Sequence, residues 1–406
     1  MWGPWFSILW TALKLGVTSF GGPTAHIGYF REEYVNRKRW LTDSHFADLV
    51  ALCQFLPGPA SSQLGMSIGW LRGGTPGAIA AWIGFTLPSA LILAAFALLY
   101  PVLPATDTGW IRGLELAAIA IVAQALLGMS RSLAPDRARA TIAVLAAATV
   151  LLLPLMWVQV GVILAAAAAG VAIVRASQRA TAGDATTPAT PQAAAAPSSA
   201  YSASSAAPKR SLASFYLGLF TLLLIALPIL GTYFQAPLLS LTESFYRAGS
   251  FVFGGGHVVL PLLEKEVVPN GLVSEELFLA GYAATQAMPG PLFTFAAFLG
   301  AAANGWGGAL LATVAIFLPG FLLVLGVLPY WQRLRQIRSV QSALYGINAA
   351  VVGILLAALY DPLFTSAVRS IGDFVLVAVL FLLFVQWRVP PWLLVILAAI
   401  SGALLL

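Results

Sequence analysis

The chain has 406 residues, of which 60% are hydrophobic and only 9% charged, with 21 basic residues, 15 acidic ones and a formal net charge of +6. An average soluble domain is about a quarter charged, so the composition excludes a soluble globular protein and specifies an integral membrane protein in contact with the lipid bilayer. The basic residues cluster between apolar runs, which suits anionic headgroups and topology signals rather than nucleic acid, and the lone Cys53 excludes an internal disulfide and a cysteine metal cluster.

No basic leader precedes the first apolar run, so the chain is expected to insert through its own helices. That run is interrupted at SFGGPTAHIGYF, Ser19 to Phe30, and a second interruption follows at Pro57-Gly58-Pro59. Continuously apolar segments then predict helical spans at 76–100, 110–129, 139–157, 158–175, 213–234, 307–329, 341–360, 367–387 and 390–406. About 18 or more residues are needed to cross some 30 Å of hydrocarbon, and the absence of alternation excludes barrel strands. From Ser177 to Ser211 the sequence turns to Ala, Thr, Ser and Pro, as in TPATPQAAAAPSSAYSASSAAPKR. This reads as a flexible cytoplasmic linker, 177–211, between a first transporter repeat, 1–176, and a second, 212–406.

The second half repeats the first. FVFGGGHVVLPL, Phe251 to Leu262, renews the glycine break roughly 230 residues later. Phe20-Gly21-Gly22 falls on Phe253-Gly254-Gly255, Gln54 and Pro57-Gly58-Pro59 on Gln286 and Pro289-Gly290-Pro291, and Leu87-Pro88 on Leu318-Pro319. Loop charge sets the orientation of each copy. Arg31, Arg37, Lys38 and Arg39 face the acidic counterpart Glu264, Glu266, Glu275 and Glu276, and Arg131, Arg137 and Arg139 face Asp361. Basic loops stay cytoplasmic, so the copies are expected upside down relative to each other, the arrangement of many secondary transporters. The fold class is therefore an all-α polytopic membrane protein with two inverted-topology repeats and broken or re-entrant helices. The charges fit nine crossings if 5–30, 45–72, 241–263 and 277–303 are re-entrant hairpins; the rival count gives 13 kinked crossings and places Arg131 to Arg139 outside.

Interrupted helices survive in a bilayer only where protein or a watery cavity covers them, and a half-helix beginning after a glycine turn offers free N–H groups and a positive dipole end to an anion. Gly21, Gly22, Gly58, Gly254, Gly255, Gly256 and Gly290 are thus candidate substrate-binding positions, the alternative being kinks and close packing. Lys14 and Arg247 stand at the same repeat position and form a candidate pair of cations for an oxyanion, with snorkelling to the headgroups as the bland alternative. Gln54, Gln286, Thr24, Ser61, Ser62 and Thr294 add neutral donors. His26 and His257 are candidates for proton coupling or for packing, and Glu33 and Glu266 for proton coupling or for loop ends. Gly65-Met66-Ser67-Ile68-Gly69 fits the nucleophile-elbow pattern but lies in an apolar helix, where its glycines read as a packing face. No Walker loop or dinucleotide fingerprint occurs, so no cofactor and no ATP are expected, no metal site is expected, and the chain is not expected to be an enzyme.

SFGGPTAHIGYFREEYV with QFLPGPASSQLGMSIGW, and FVFGGGHVVLPLLEKEVV with QAMPGPLFTFAAFLG, resemble the chromate ion transporter family in its two-domain, long-chain form. The resemblance covers nearly the whole chain outside the linker. It implies a multi-pass protein of the bacterial inner membrane that exports chromate with the proton motive force and confers chromate resistance, protons and the chromate or sulfate oxyanion being its partners. The residues alone reach an inverted-repeat carrier of an anion; a sulfate or other oxyanion carrier, an anion channel and an intramembrane enzyme stay open, as does the oligomeric state.

Overall fold

The structure is a computed structural model that describes residues 4–19, 22–100, 109–153, 158–182, 210–234, 236–253, 259–334 and 336–405. Among them there is no strand. The main helices are α1 (Pro4–Thr18), α2 (Gly22–Phe30), α3 (Asp43–Phe55), α4 (Ala60–Leu99), α5 (Gly109–Leu133), α6 (Arg137–Leu152) and α7 (Val158–Ala182). They continue with α8 (Arg210–Tyr233), α9 (Pro237–Phe251), α10 (Val259–Val267), α11 (Glu275–Ala287), α12 (Phe295–Val327), α13 (Arg338–Ala358), α14 (Ile371–Val385) and α15 (Pro391–Leu405).

The same local devices recur in both halves. Helices α3 and α11 each have 13 residues, each begins at a hydroxyl N-cap, and each stops at its Pro-Gly-Pro. The Thr42 side chain accepts from the His45 N–H and the Ser274 side chain from the Leu277 N–H, both at 3.3 Å, which satisfies one of the free donors of the first turn. At 1.5 Å per residue such a helix reaches about 20 Å, too little to cross. The long helices that follow are both broken: Gly73 and Gly74 in α4 have φ/ψ of −150/18° and 62/−154°, and Asn304 and Gly305 in α12 have −153/42° and 59/−156°.

These breaks are reversals of direction, not bends. A side chain on Gly69 would strike the backbone of Gly77 and one on Gly77 the backbone of Gly69, and the pair Gly300 and Gly308 does the same. Each chain therefore doubles back on itself at the break, backbone against backbone, which only glycine allows. The expected boundaries, 72 with 76 and 303 with 307, bracket both turns.

Among the described residues, six stretches are apolar, helical and long enough to span a membrane: Ala60–Leu99, Gly109–Arg131, Val158–Ala176, Arg210–Tyr233, Leu292–Tyr330 and Arg338–Ala367. The expected spans at 139–157, 367–387 and 390–406 correspond to shorter helices, α6, α14 and α15, of 16, 15 and 15 residues. They reach only about 22 to 24 Å. Polar caps cut two of them: the Asp136 carboxylate accepts from the Arg139 N–H at 3.0 Å, and Ser370 from the Asp373 N–H at 3.1 Å.

The halves interlock. Helix α5 packs on α15, with Gly109 against Gly402 and Gly113 against Ala398, while α13 packs on α7 and α6, with Gly170 against Ser342, Gly346 against Ala166 and Gly353 against Ala143. Each half thus lends one helix to the other half's last helices, and one hydrophobic core draws on both. Polar contacts fasten the crossings. Arg112 at the start of α5 donates to both oxygens of Asp373 at the start of α14, at 2.9 and 2.8 Å, and Tyr345 near the start of α13 donates to Asp136 before α6 at 3.1 Å.

Candidate functional site

At the centre, the Pro-Gly-Pro turns and the glycine breaks meet crosswise. The Gly58 N–H donates to the Val252 carbonyl at 2.7 Å, and the Gly290 N–H donates to the Ser19 carbonyl at 2.9 Å. Ser19 and Val252 are the residues just before the two glycine breaks, so each half's turn clasps the other half's break. Both glycines have positive φ, 118° and 95°. A side chain on Gly58 would lie 3.2 Å from Cα of Gly320, next to Pro319; one on Gly290 would lie 2.9 Å from Oγ of Ser89, next to Pro88, and 3.3 Å from the Gly16 and Phe85 carbonyls. Sequence reasoning placed these glycines against a ligand; in the structure their N–H groups and their missing side chains join the halves.

The two halves bring residues of different polarity to these junctions, Gln63 lying beside Gly58 and Gly320 and His26 beside Phe85. Ser19, His26, Ser62, Gln63 and Thr86 are each at least 98% buried, and Ser19 Oγ, both His26 ring nitrogens, Ser62 Oγ, Gln63 Oε1 and Thr86 Oγ1 have no hydrogen-bond partner among the described residues. The same repeat positions in the second half hold Val252, Val259, Thr294, Phe295 and Phe317, and there the Thr294 hydroxyl donates to the Pro291 carbonyl at 2.7 Å. A buried polar group left without a partner costs about 1 to 3 kcal/mol, and native structures hold few. Five in one half stand against counterparts that are apolar but for Thr294. His26 is held by an edge contact with Phe85, 5.4 Å between ring centroids, and Gln63 by donation to the Pro57 carbonyl at 2.8 Å and the Gly320 carbonyl at 3.3 Å. Hydroxyls and an imidazole N–H can hold an oxyanion without a fixed positive charge.

The expected cations are closed on carboxylates. Lys14 Nζ lies 2.8 Å from Glu33 Oε2, and Arg247 Nε donates to Glu266 Oε1 at 2.9 Å while its guanidinium also binds Glu243. Lys14 and Arg247 therefore do correspond, and so do Glu33 and Glu266, but as two ion pairs tying α1 to the turn after α2 and α9 to α10. Exposure separates them: the Lys14 side chain is 45% accessible and that of Arg247 is 12%. Glu33 and Glu266 are themselves buried and so are more than loop ends.

Among the remaining candidates, Ser61, Gln286 and Thr294 are buried, Gly22 has a φ of 76° beside Leu292, and Gln54 is exposed, away from the buried polar set. Gly21, Gly254, Gly255, Gly256, His257 and the Thr24 side chain lie outside the described residues. Ser67 lies within a helix and donates to the Gln63 carbonyl at 2.8 Å, so no strand-to-helix elbow forms around it. Among the described residues no group of His, Cys, Asp or Glu could hold a metal ion. Sequence reasoning missed Ser19, Gln63 and Thr86. The signal was present in their mirror positions, which are apolar.

The family model described as chromate transporter matches residues 6–172 and 239–403. The chain belongs to the chromate transporter family. Relatives of this family member include a chromate transport protein of Pseudomonas aeruginosa, 30% identical over 352 residues, which cover 86% of this chain and 79% of the relative. A chromate transport protein of Cupriavidus metallidurans is 28% identical over 371 residues, 89% of this chain and 82% of the relative. A probable chromate transport protein of Synechococcus elongatus is 25% identical over 408 residues, 97% of this chain and 93% of the relative. No solved structure matches the chain. The chain is thus a multi-pass α-helical membrane protein of a transporter family.

Proposed function

We propose that this chain exports chromate across the inner membrane of a bacterial cell, drawing on the proton motive force, and so confers chromate resistance. The observation that carries the reading is the set of buried polar side chains, unpartnered among the described residues, that the first half brings to the junctions, in a chain whose relatives from Pseudomonas aeruginosa and Cupriavidus metallidurans are named chromate transport proteins. Two negative charges leaving a cell that is 100 mV negative inside gain about 4.6 kcal/mol, a concentration ratio of more than about a thousandfold. The electrical part of the force therefore suffices to drive a dianion out.

An inverted arrangement of the two repeats fits this function. It is supported by the contact between the start of α13 and the start of α6: α6 follows the end of α5, so the counterpart helices α5 and α13 run in opposite directions. Alternating access would then work on the crossed junctions, where Gly58 and Gly290 clasp the opposite breaks. Protonation of Glu33 or Glu266 would release Lys14 or Arg247 toward an arriving anion, which keeps these pairs as coupling candidates. Sulfate shares the charge and tetrahedral shape of chromate, and the neutral donors of the junction do not separate the two.

The test is uptake of labelled chromate into inverted vesicles. Saturable uptake that collapses with an uncoupler and falls with excess sulfate is expected; uptake equal to that of vesicles lacking the protein would refute the function.

A further inference from the structure

Away from the junctions, a cavity of about 270 Å³ is lined by Glu115, Ser274, Glu275, Glu276, Leu279, Ser366 and Arg369. Its rim is wet, since the Glu276 and Arg369 side chains are 67% and 51% accessible, and its floor is dry, since Glu115 is 3% exposed. Every polar group on the wall except one has a partner. The Ser366 hydroxyl donates to Glu275 Oε1, Arg369 Nε donates to the Ser366 carbonyl at 3.0 Å and its guanidinium lies 3.6 Å from Glu276, and Ser274 caps α11. Among the described residues, Glu115 accepts no hydrogen bond and makes no ion pair. The nearest cations are committed elsewhere: Arg112 is bound through both oxygens to Asp373, and Arg369 to Ser366 and Glu276.

We propose that Glu115 is a proton-binding site of this carrier, exchanging its proton with water through that cavity. An ionised carboxylate buried without a partner is expensive, and the ordinary way out is to take up a proton. The groups that face it from the packed elements are the cations Arg369 and Arg112, the carboxylates Glu276 and Glu275, and the Tyr100 phenol at the end of α4. Three carboxylates share this space with one arginine that is already engaged. A carrier that couples proton entry to anion exit needs a group that takes a proton from water and holds it in a dry site, and Glu115 on the floor of this cavity is so placed. This coupling role rests on the transport reading above; proton exchange itself does not.

The experiment therefore has two arms. Purified wild type, Glu115→Gln and Glu115→Ala are titrated between about pH 5 and 9, counting bound protons, with the exposed Glu32→Gln as a control for handling. Both Glu115 variants are expected to bind about one proton fewer per chain across this window, and the control to match the wild type. Equal proton counts in wild type and Glu115→Gln would overturn the site. In the second arm, the pH dependence of chromate uptake into inverted vesicles is expected to flatten in Glu115→Gln. An unchanged profile beside a lost proton would overturn the coupling role, whereas a lost proton with no chromate uptake by the wild type would leave the proton site standing and refute the transport reading.

Discussion

At the residue scale, burial decides what each charged pair is worth. The ion pairs Lys14–Glu33 and Arg247–Glu266 occupy the same repeat position, but the Arg247 side chain is 12% accessible and that of Lys14 is 45%. Arg247 keeps Glu243 when Glu266 is removed, but this buried charge still loses hydrogen bonds worth about 1.5 to 3 kcal/mol, while an exposed pair contributes about 0 to 1 kcal/mol. Glu266→Gln is therefore expected to lower the thermal midpoint of the purified protein by several degrees and Glu33→Gln by roughly one. Equal shifts would show that exposure does not govern these pairs. Gly58→Leu and Gly290→Leu are expected to abolish chromate uptake and to lower the thermal midpoint as well, because the side chain meets the other half at positive φ. Unaltered uptake in either would place the turn outside the moving junction. The equivalence of Lys14 with Arg247 was legible in the sequence because the repeat fixes position. Their pairing was not, since a carboxylate 19 positions away gives no periodic signal that it will fold back.

At the scale of elements, the glycines tell how a helix can reverse inside a bilayer. Gly65 and Gly69 look like one packing face in sequence, yet a side chain on Gly65 would reach only Phe30, at 3.5 Å, while one on Gly69 would collide with the Gly77 backbone. The packing partner is the chain's own continuation, a fact that spacing cannot show. Gly69→Leu and Gly300→Leu are each expected to open their hairpin and give protein that inserts but is cut faster by protease, whereas Gly65→Ala should remain as resistant as wild type. Wild-type resistance in Gly69→Leu would contradict the close approach. The break positions themselves were legible, because Arg72-Gly73-Gly74-Thr75-Pro76 and Asn304-Gly305 interrupt continuous apolar runs. The start of α14 was placed too early because the apolar Ala367 and Val368 lie before its Ser370 cap.

At the scale of the molecule, the repeat was legible but its interlocking was not: small residues mark α5, α7, α13 and α15 as close packers without naming partners, and the partners lie across the linker. Because α5 rests on α14 and α15, and α13 on α6 and α7, either half expressed alone is expected to be degraded, and the two co-expressed as separate chains to co-purify. A stable, solitary first half would contradict the crossed packing. The proposal that the linker lies in the cytoplasm predicts that cysteines introduced near Ala196 and Gln336 resist an impermeant reagent applied outside intact cells. The central claim is that the first half's buried polar side chains hold the anion while their counterparts in the second half only pack. The most direct measurement is the chromate affinity of purified protein in two double variants, His26→Leu with Ser62→Ala in the first half and Val259→Ala with Thr294→Ser in the second. Hydrogen bonds to a charged group are worth about 1.5 to 3 kcal/mol, so the first variant is expected to bind at least about tenfold more weakly and the second within about twofold of wild type. Equal losses in the two, or wild-type affinity in the first, would contradict the account.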